Sequence, residues 1–291
     1  MIKIFSELRC SLGEGPIWHR SRNSIFWVDI NNKKVYEKNI DSDNKYYDNL
    51  WEFDLMVSAL AVDAKSSNKL WLIAENSIIH FDLVFSSSKV IKNIPIPIDC
   101  RTNDASVSPD GKIWFGTMEK APTGLNGSIY SFDKNGFLTK EIAGVGIPNT
   151  MSWLEEDTLY FSDSYEQKMY RYNIKSKEKN VFIDLTKGYA TPDGGAFNNT
   201  GDLWNAQWDG QRVACYNQEG SLLKAIELLV DRPTSCCYGG KNMDKLFVTS
   251  AREGLSNKQL EKHPYSGCLF VLDIGDIGKE VPSFCHSEDL C

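Results

Sequence analysis

The sequence has few of the residues and motifs that common catalytic sites need. Its four histidines have no spacing typical of a shared metal or catalytic site; they are His19, His80, His263 and His286. HExxH, GxSxG and a glycine-rich phosphate loop are all absent. Catalysis by a Ser-His-Asp triad therefore has no motif to support it.

The sequence also lacks an excess of positive charge and long hydrophobic runs. The net charge of −7 argues against a nucleic-acid partner, because phosphate binding needs a basic face. No stretch approaches transmembrane length, and the N-terminus lacks a signal-peptide core and cleavage site. We therefore expect a cytoplasmic protein without a membrane partner.

The eight cysteines show no CxxC spacing and no compact framework. This is typical of reduced thiols in a cytosolic protein. Pairing between Cys285 and Cys291 is left open by the sequence.

Six segments of the chain share one layout, in which a polar start is followed by a short strand, a turn and an aromatic-rich strand. Their first residues are Glu14, Ser58, Asn103, Asn149, Asp193 and Ser235, which stand 42 to 46 residues apart. This interval is typical of the four-stranded blades of a β-propeller.

The strand pattern within each unit supports the same fold. Apolar residues alternate with period 2, and no segment sustains the 3.6 period of a helix. With 42 % hydrophobic residues, the chain can bury a large core. We predict an all-β, six-bladed β-propeller that forms one domain over residues 1–291. The final strand of the last blade is predicted at Ile2–Phe5, where it would close the ring and remove a free edge.

The third unit carries the densest polar start. Arg101 and Asn103 precede a short strand, and Pro109-Asp110-Gly111 then predicts a tight turn. Residues i and i+2 of an extended chain face the same side, so Arg101 is predicted to point into the channel mouth with Asn103. A surface salt bridge is the alternative for Arg101.

The first strand of every propeller blade lines the central channel, so residues at one repeat position converge there. Two carboxylates and two amides share that position, namely Glu14, Asn103, Asn149 and Asp193. Each alone is explained as a turn or cap residue. Together they favour a site for Ca²⁺, Mg²⁺ or Mn²⁺, which prefer oxygen ligands, while Zn²⁺ more often recruits His or Cys.

Several stretches resemble the senescence marker protein/regucalcin and gluconolactonase family. They are LGEGPIWH, RTNDASVSPDGKIWFGTM, GIPNTMSW, FSDSYEQKMYRYNI, PDGGAFNNTGDLWNAQWDGQRV and RPTSCCYGGKNMDKLFVTSA, in the family's order from about Leu12 to Ala251. The resemblance implies a six-bladed propeller with one divalent metal ion in its channel. It also implies a hydrolase that opens sugar lactones.

Carried over by position, the resemblance makes Glu14, Asn149 and Asp193 the metal ligands. Asp193 is also the implied general base, and Arg101 and Asn103 are the implied substrate-binding pair. Glu119 is assigned to the substrate-binding rim. Thr150 departs from the family pattern, because a glycine usually follows the amide ligand.

The expected ligands are one divalent metal ion (Ca, Mg, Mn or Zn) and a small sugar lactone, bound by a monomer or weak homo-oligomer. The alternatives are a non-catalytic calcium-binding or regulatory propeller and a metal-dependent esterase or phosphotriesterase using the same channel. A WD or kelch interaction propeller is disfavoured, because their repeat signatures are absent.

Overall fold

The computed structural model describes residues 1–287 and consists mainly of antiparallel β-sheet. Strand β1 (Ile2–Ser6) lies apart in sequence from the sheet that it completes. The next strands form blade 1, with β2 (Gly13–His19), β3 (Ser24–Asp29), β4 (Lys34–Asn39) and β5 (Asn49–Glu52), and blade 2, with β6 (Val57–Val62), β7 (Lys69–Ala74), β8 (Ser77–Asp82) and β9 (Ser87–Asn93).

The remaining blades repeat this plan. Blade 3 holds β10 (Cys100–Val107), β11 (Ile113–Glu119), β12 (Gly127–Phe132) and β13 (Leu138–Val145), and blade 4 holds β14 (Pro148–Glu155), β15 (Thr158–Asp163), β16 (Lys168–Asn173) and β17 (Lys179–Asp184). Blade 5 holds β18 (Thr191–Phe197), β19 (Leu203–Trp208), β20 (Arg212–Tyr216) and β21 (Leu222–Glu227), and blade 6 holds β22 (Pro233–Gly239), β23 (Lys245–Ser250), β24 (Leu269–Asp273) and β1.

The six-bladed β-propeller predicted from the repeat is confirmed. Closure also occurs as predicted, because β1 pairs antiparallel with β24 and places Lys3 opposite Val271. A ring closed in this way pairs the edge of blade 6 with the chain's own N-terminus.

The hydrophobic core lies between neighbouring blades, where the alternating apolar side chains of facing sheets meet. The indole side chains of Trp27, Trp71, Trp114 and Trp204 are fully buried in these layers. The turn predicted at Pro109-Asp110-Gly111 is present, and Gly111 has the positive φ of +79° that the turn needs.

Two features lie outside the repeat. The first is the pair of short helical elements, a 3₁₀ turn at Arg20–Arg22 and helix α1 (Asn257–Lys262). Helix α1 begins with a capping box between Ser256 and Gln259. Among residues 1–287, no helix has the length and apolar character needed to cross a membrane. Cys291, the pairing partner considered for Cys285, lies outside the described residues.

The other feature is the C-terminal segment, which crosses the end of the channel opposite the candidate site. Lys279 N–H donates to the Phe197 carbonyl of blade 5, and Phe284 N–H donates to the Val62 carbonyl of blade 2. Phe284 is fully buried and packs edge-on against Trp71. The segment therefore ties opposite sides of the ring together.

Candidate active site

All six first strands lose their pairing register with the second strand at one height in the channel. The breaks lie between Glu14 and Ile17, Val57 and Ala59, Thr102 and Ala105, Asn149 and Ser152, Pro192 and Gly195, and Pro233 and Cys236. Such bulges re-aim side chains and are common beside active sites. The six positions selected from the repeat fall at or within these breaks.

Two buried carboxylates belong to this ring of bulges. Glu14 and Asp193 are 8 % and 5 % exposed. Burial, reinforced by the charge of nearby Asp104, raises the pKa of Glu14 to about 8. Burial and the neighbouring charges of Glu14 and Asp104 likewise raise the pKa of Asp193 well above its usual value. The positive charge that the protein itself places near these two carboxylates is therefore too small to offset their burial and mutual repulsion.

A third carboxylate, Asp104, stands beside them. Its side chain accepts hydrogen bonds from the N–H groups of Met151 and Ala105, at 3.1 and 2.8 Å. Burial nevertheless raises the pKa of Asp104 to about 6. Asp104 thus adds to the negative potential around Glu14 and Asp193.

A chain of hydrogen bonds connects Arg101, Asn103 and Asn149. Arg101 Nη1 donates to Asn103 Oδ1 at 2.7 Å, and Asn103 Nδ2 donates to Asn149 Oδ1 at 2.8 Å. Asn103 Nδ2 also donates to the Pro148 carbonyl at 3.0 Å, so both amide hydrogens are used. A substrate contact by Asn103 stays a prediction. The group available for it is Oδ1, whose second lone pair could accept a hydrogen bond.

Arg101 supplies a positive charge that acts on both Glu14 and Asp193. Burial lowers the pKa of Arg101 from its usual value, while the charges of Glu253, Glu14 and Asp193 oppose that shift. An arginine stays protonated in such a setting. Arg101 Nη1 donates to the Thr102 carbonyl and to Asn103 Oδ1. Within residues 1–287, Arg101 Nε and Nη2 have no hydrogen-bond partner.

The donor set fits a divalent cation that prefers oxygen. Asp193 Oδ1 is buried and has no hydrogen-bond partner among the described residues. Glu14 Oε2 accepts one bond, from the Gly15 N–H at 3.1 Å. In residues 1–287, no group of three or more His, Cys, Asp or Glu side chains could hold a metal ion. The candidate donors differ from such a group, because they combine two carboxylates, Glu14 and Asp193, with the amide oxygen of Asn149.

Glu119 is the last residue of β11, and its hydrogen bonds go to its own loop. Its carboxylate accepts bonds from Thr123 N–H at 2.7 Å and from Asn126 Nδ2 at 3.1 Å, so it organises its own loop. Tyr165 of blade 4 also joins this loop through a bond from its hydroxyl to the Thr123 carbonyl. Contact between Glu119 and a substrate stays a prediction.

Between the ring of bulges and the crossing C-terminal segment, the channel contains a cavity of about 800 Å³. Asp104, Met151 and Ser235 line it at the bulge end, and the crossing segment Lys279–Ser283 lines it at the far end. Glu14, Asn149 and Asp193 are not among its lining residues.

Hydroxyl and amide groups that support the cluster were missed by sequence reasoning. Ser164 Oγ accepts from Asn149 Nδ2 at 2.9 Å, and Asn205 Nδ2 donates to the Asp193 carbonyl at 2.7 Å. Asp104 is visible in the sequence as the carboxylate directly after Asn103, but its place beside Glu14 and Asp193 was not predicted. Ser164 lies in the turn directly after β15 and Asn205 lies on β19, and their contact with the first strands is visible only in the folded ring.

Comparison with known proteins decides the family. A model of the SMP-30/gluconolactonase/LRE-like region matches residues 12–252. The chain belongs to this family. Within it, regucalcin from Bos taurus is 32 % identical over 291 residues, covering 93 % of this chain and 94 % of the relative. The pentonolactonase of Haloferax volcanii is 26 % identical over 282 residues, covering 93 % of each protein.

A solved member of the SMP-30/gluconolactonase/LRE-like family has the same architecture. The crystal structure of the calcium-binding protein regucalcin from Agrobacterium tumefaciens matches with a TM-score of 0.91 at 27 % identity. The match covers 97 % of this chain and 96 % of that one. The family resemblance stated from the sequence motifs is therefore confirmed.

Proposed function

We propose that this protein is a metal-dependent lactonase that hydrolyses sugar lactones to the corresponding hydroxy acids. The observation that carries the proposal is the buried pair Glu14 and Asp193, with raised pKa values and an unpartnered Asp193 Oδ1. A cation-binding, ester-cleaving site explains why two carboxylates are buried together beside Arg101. The pentonolactonase relative supports the same chemistry.

Glu14, Asn149 and Asp193 would hold one divalent cation, and Ca²⁺, Mg²⁺, Mn²⁺ and Zn²⁺ are the candidates. When bound, the cation would polarise the lactone carbonyl and stabilise the negative charge that develops on its oxygen. The calcium-binding regucalcin from Agrobacterium makes Ca²⁺ the first ion to test.

The chain's own groups account for the remaining roles. The Nε and Nη2 hydrogens of Arg101 would bind substrate oxygens, and Asn103 Oδ1 would accept from a substrate hydroxyl. Asp193 would accept a proton from the attacking water through the carboxylate oxygen that does not hold the cation. The water oxygen would bond to the lactone carbonyl carbon, the acyl C–O bond of the ring would then break, and the ring oxygen would take up the proton held by Asp193. The carboxylic acid formed in this way ionises at neutral pH and releases one proton to solution.

The experiment follows proton release from glucono-, galactono-, arabinono- and xylonolactone. The protein is first stripped of metal and then reloaded with each candidate ion, with spontaneous hydrolysis subtracted. Turnover that depends on the metal and is lost in Glu14→Gln supports the proposal. Hydrolysis at the same rate without metal contradicts it.

A second candidate is a calcium-binding propeller without turnover. The calcium-binding description of the Agrobacterium regucalcin favours it. It predicts saturable Ca²⁺ binding that Glu14→Gln removes, together with no hydrolysis of any lactone in the panel. A metal-dependent phosphotriesterase would instead cleave paraoxon and leave the lactones intact.

A further inference from the structure

Thr150 occupies an unusual backbone position between the two candidate metal ligands. It follows Asn149 directly and lies within the bulge of β14. Its φ of +56° is in the left-handed region, where a β-branched residue is a rare outlier. Strained conformations of this kind persist when the surrounding contacts hold them and are concentrated at functional sites.

The Thr150 hydroxyl has a complete set of hydrogen bonds. It donates to the Asp193 carbonyl, and it accepts from Asn205 Nδ2 at 2.9 Å. Ser162 Oγ lies 2.5 Å away and supplies the other accepted bond, because the only Thr150 hydroxyl hydrogen already points to Asp193. The side chain is fully buried, so no solvent replaces these partners.

The Thr150 methyl group is also specifically placed. A Cβ atom added at Gly195 would lie 3.0 Å from Thr150 Cγ2, so the methyl rests against the backbone of blade 5. The residue thus touches both sides of the Asp193 bulge, through its hydroxyl on Asp193 and its methyl on Gly195.

Two more hydroxyls of blade 4 hold the same part of blade 5. Ser164 Oγ donates to the Pro192 carbonyl at 2.7 Å, and Ser152 Oγ donates to the Gly195 carbonyl at 2.8 Å. The bulge between Pro192 and Gly195 interrupts the β18–β19 ladder, so backbone carbonyls there need other partners. We call Thr150, Ser152 and Ser164 the hydroxyl clamp.

We propose that Thr150 is a positioning residue for Asp193. Through the hydroxyl clamp it fixes the Asp193 peptide relative to Asn149, so that two ligands from adjacent blades keep the separation a cation needs. The inference rests on the proposed function only in taking Asn149 and Asp193 as cation ligands. Groups that orient ligands from behind typically change metal affinity 10- to 100-fold when removed.

The test is calorimetric titration of the metal-free full chain with Ca²⁺, and then with Mn²⁺. Thr150→Gly removes the hydroxyl while suiting the positive φ, so the variant should fold. Thr150→Val keeps the side-chain shape without the hydroxyl, and Thr150→Ser retains the hydroxyl. We expect about 10-fold or greater loss of affinity in the Gly and Val variants, and affinity within about threefold of wild type in Thr150→Ser.

The matched control is Thr117→Val. Thr117 is also buried, and its hydroxyl donates to the Ser128 carbonyl at 3.1 Å within blade 3; among the described residues it has no hydrogen bond to Asn149 or Asp193. We expect cation affinity to stay at the wild-type value in this variant. Thermal unfolding of each metal-free variant separates a change in affinity from a loss of fold.

The proposal is overturned if Thr150→Gly and Thr150→Val bind the cation as wild type does, or if Thr150→Ser loses as much affinity as Thr150→Val. A wild-type protein that binds neither cation also overturns it. Cation binding that depends on Thr150, in a wild type with no lactone turnover, leaves the positioning role standing and refutes the proposed hydrolysis instead.

Discussion

Replacing Glu14 with glutamine should make the metal-free protein more stable at neutral pH. The buried Glu14 carboxyl has a pKa raised from 4.5 to about 8, mainly by burial. In the unfolded chain it loses its proton near the usual value, so ionisation favours unfolding as the pH rises from 4.5 towards 8. Glutamine has the same shape, keeps an oxygen for the Gly15 N–H and does not ionise.

The size of the effect follows from that shift. At pH 7 the pH lies about 2.5 units above the pKa of this carboxyl in the unfolded chain, and at about 1.4 kcal/mol per unit the gain in stability is up to roughly 3.5 kcal/mol. For a chain of 291 residues, an unfolding entropy of about 2 cal/mol/K per residue converts this gain into a Tm increase of up to about 6 °C.

The assay is thermal unfolding of both proteins in a metal chelator between pH 4.5 and 8.5. The stability difference should be small at pH 4.5, grow up to pH 8 and level off above it. Adding Ca²⁺ should raise the Tm of wild type but not that of Glu14→Gln. The matched control is Glu52→Gln, whose side chain is 65 % exposed and whose loss should matter little. Parallel pH profiles of wild type and Glu14→Gln, or a Glu14→Gln protein that is less stable at pH 8, would refute the reasoning.

Three further predictions concern other parts of the ring. Phe284→Ala should lower the free energy of unfolding by about 3–5 kcal/mol in denaturant titrations, because Phe284 is fully buried. The control Phe85→Ala, at a residue that is 80 % exposed, should change it little. Equal effects would contradict a stabilising role for the crossing segment. Deleting residues 1–6 should expose the edge of β24 and cause association visible by size-exclusion chromatography; a monomer as stable as wild type would contradict closure. Arg101→Lys should lower kcat/KM about 10-fold, mostly through KM, because lysine lacks the planar fork that bonds Asn103 and that we propose also binds substrate; unchanged kinetics would contradict a substrate-binding role for Arg101.

The sequence was sufficient for the architecture because the repeat is regular. Intervals of 42 to 46 residues and strict alternation predicted six blades, and the unpaired N-terminal strand predicted ring closure. Helix α1 was missed although its signal was present, since Ser256 and Gln259 have the spacing of a capping box. The crossing segment carries no repeat, so nothing in the sequence indicated its pairing with Val62 and Phe197.

The site was predictable at the level of which residues converge, but not at the level of what each one contacts. Repeat position selected Glu14 and Asp193 correctly as neighbours in one channel. The bond from Asn103 to Asn149 joins two blades, and its geometry depends on bulges that alternation cannot predict. Thr150 was visible as a departure from the family pattern, while its contact with Asp193 requires the folded ring.

The most direct test of the proposed site compares lactone hydrolysis by wild type and Asp193→Ala across the aldonolactone panel, with and without added Ca²⁺, Mg²⁺, Mn²⁺ or Zn²⁺. We expect wild type to hydrolyse at least one lactone only when metal is present, and Asp193→Ala to lose this turnover while remaining folded. Near-normal turnover by metal-loaded Asp193→Ala, or no lactone turnover by a wild type that binds the cation, would contradict it.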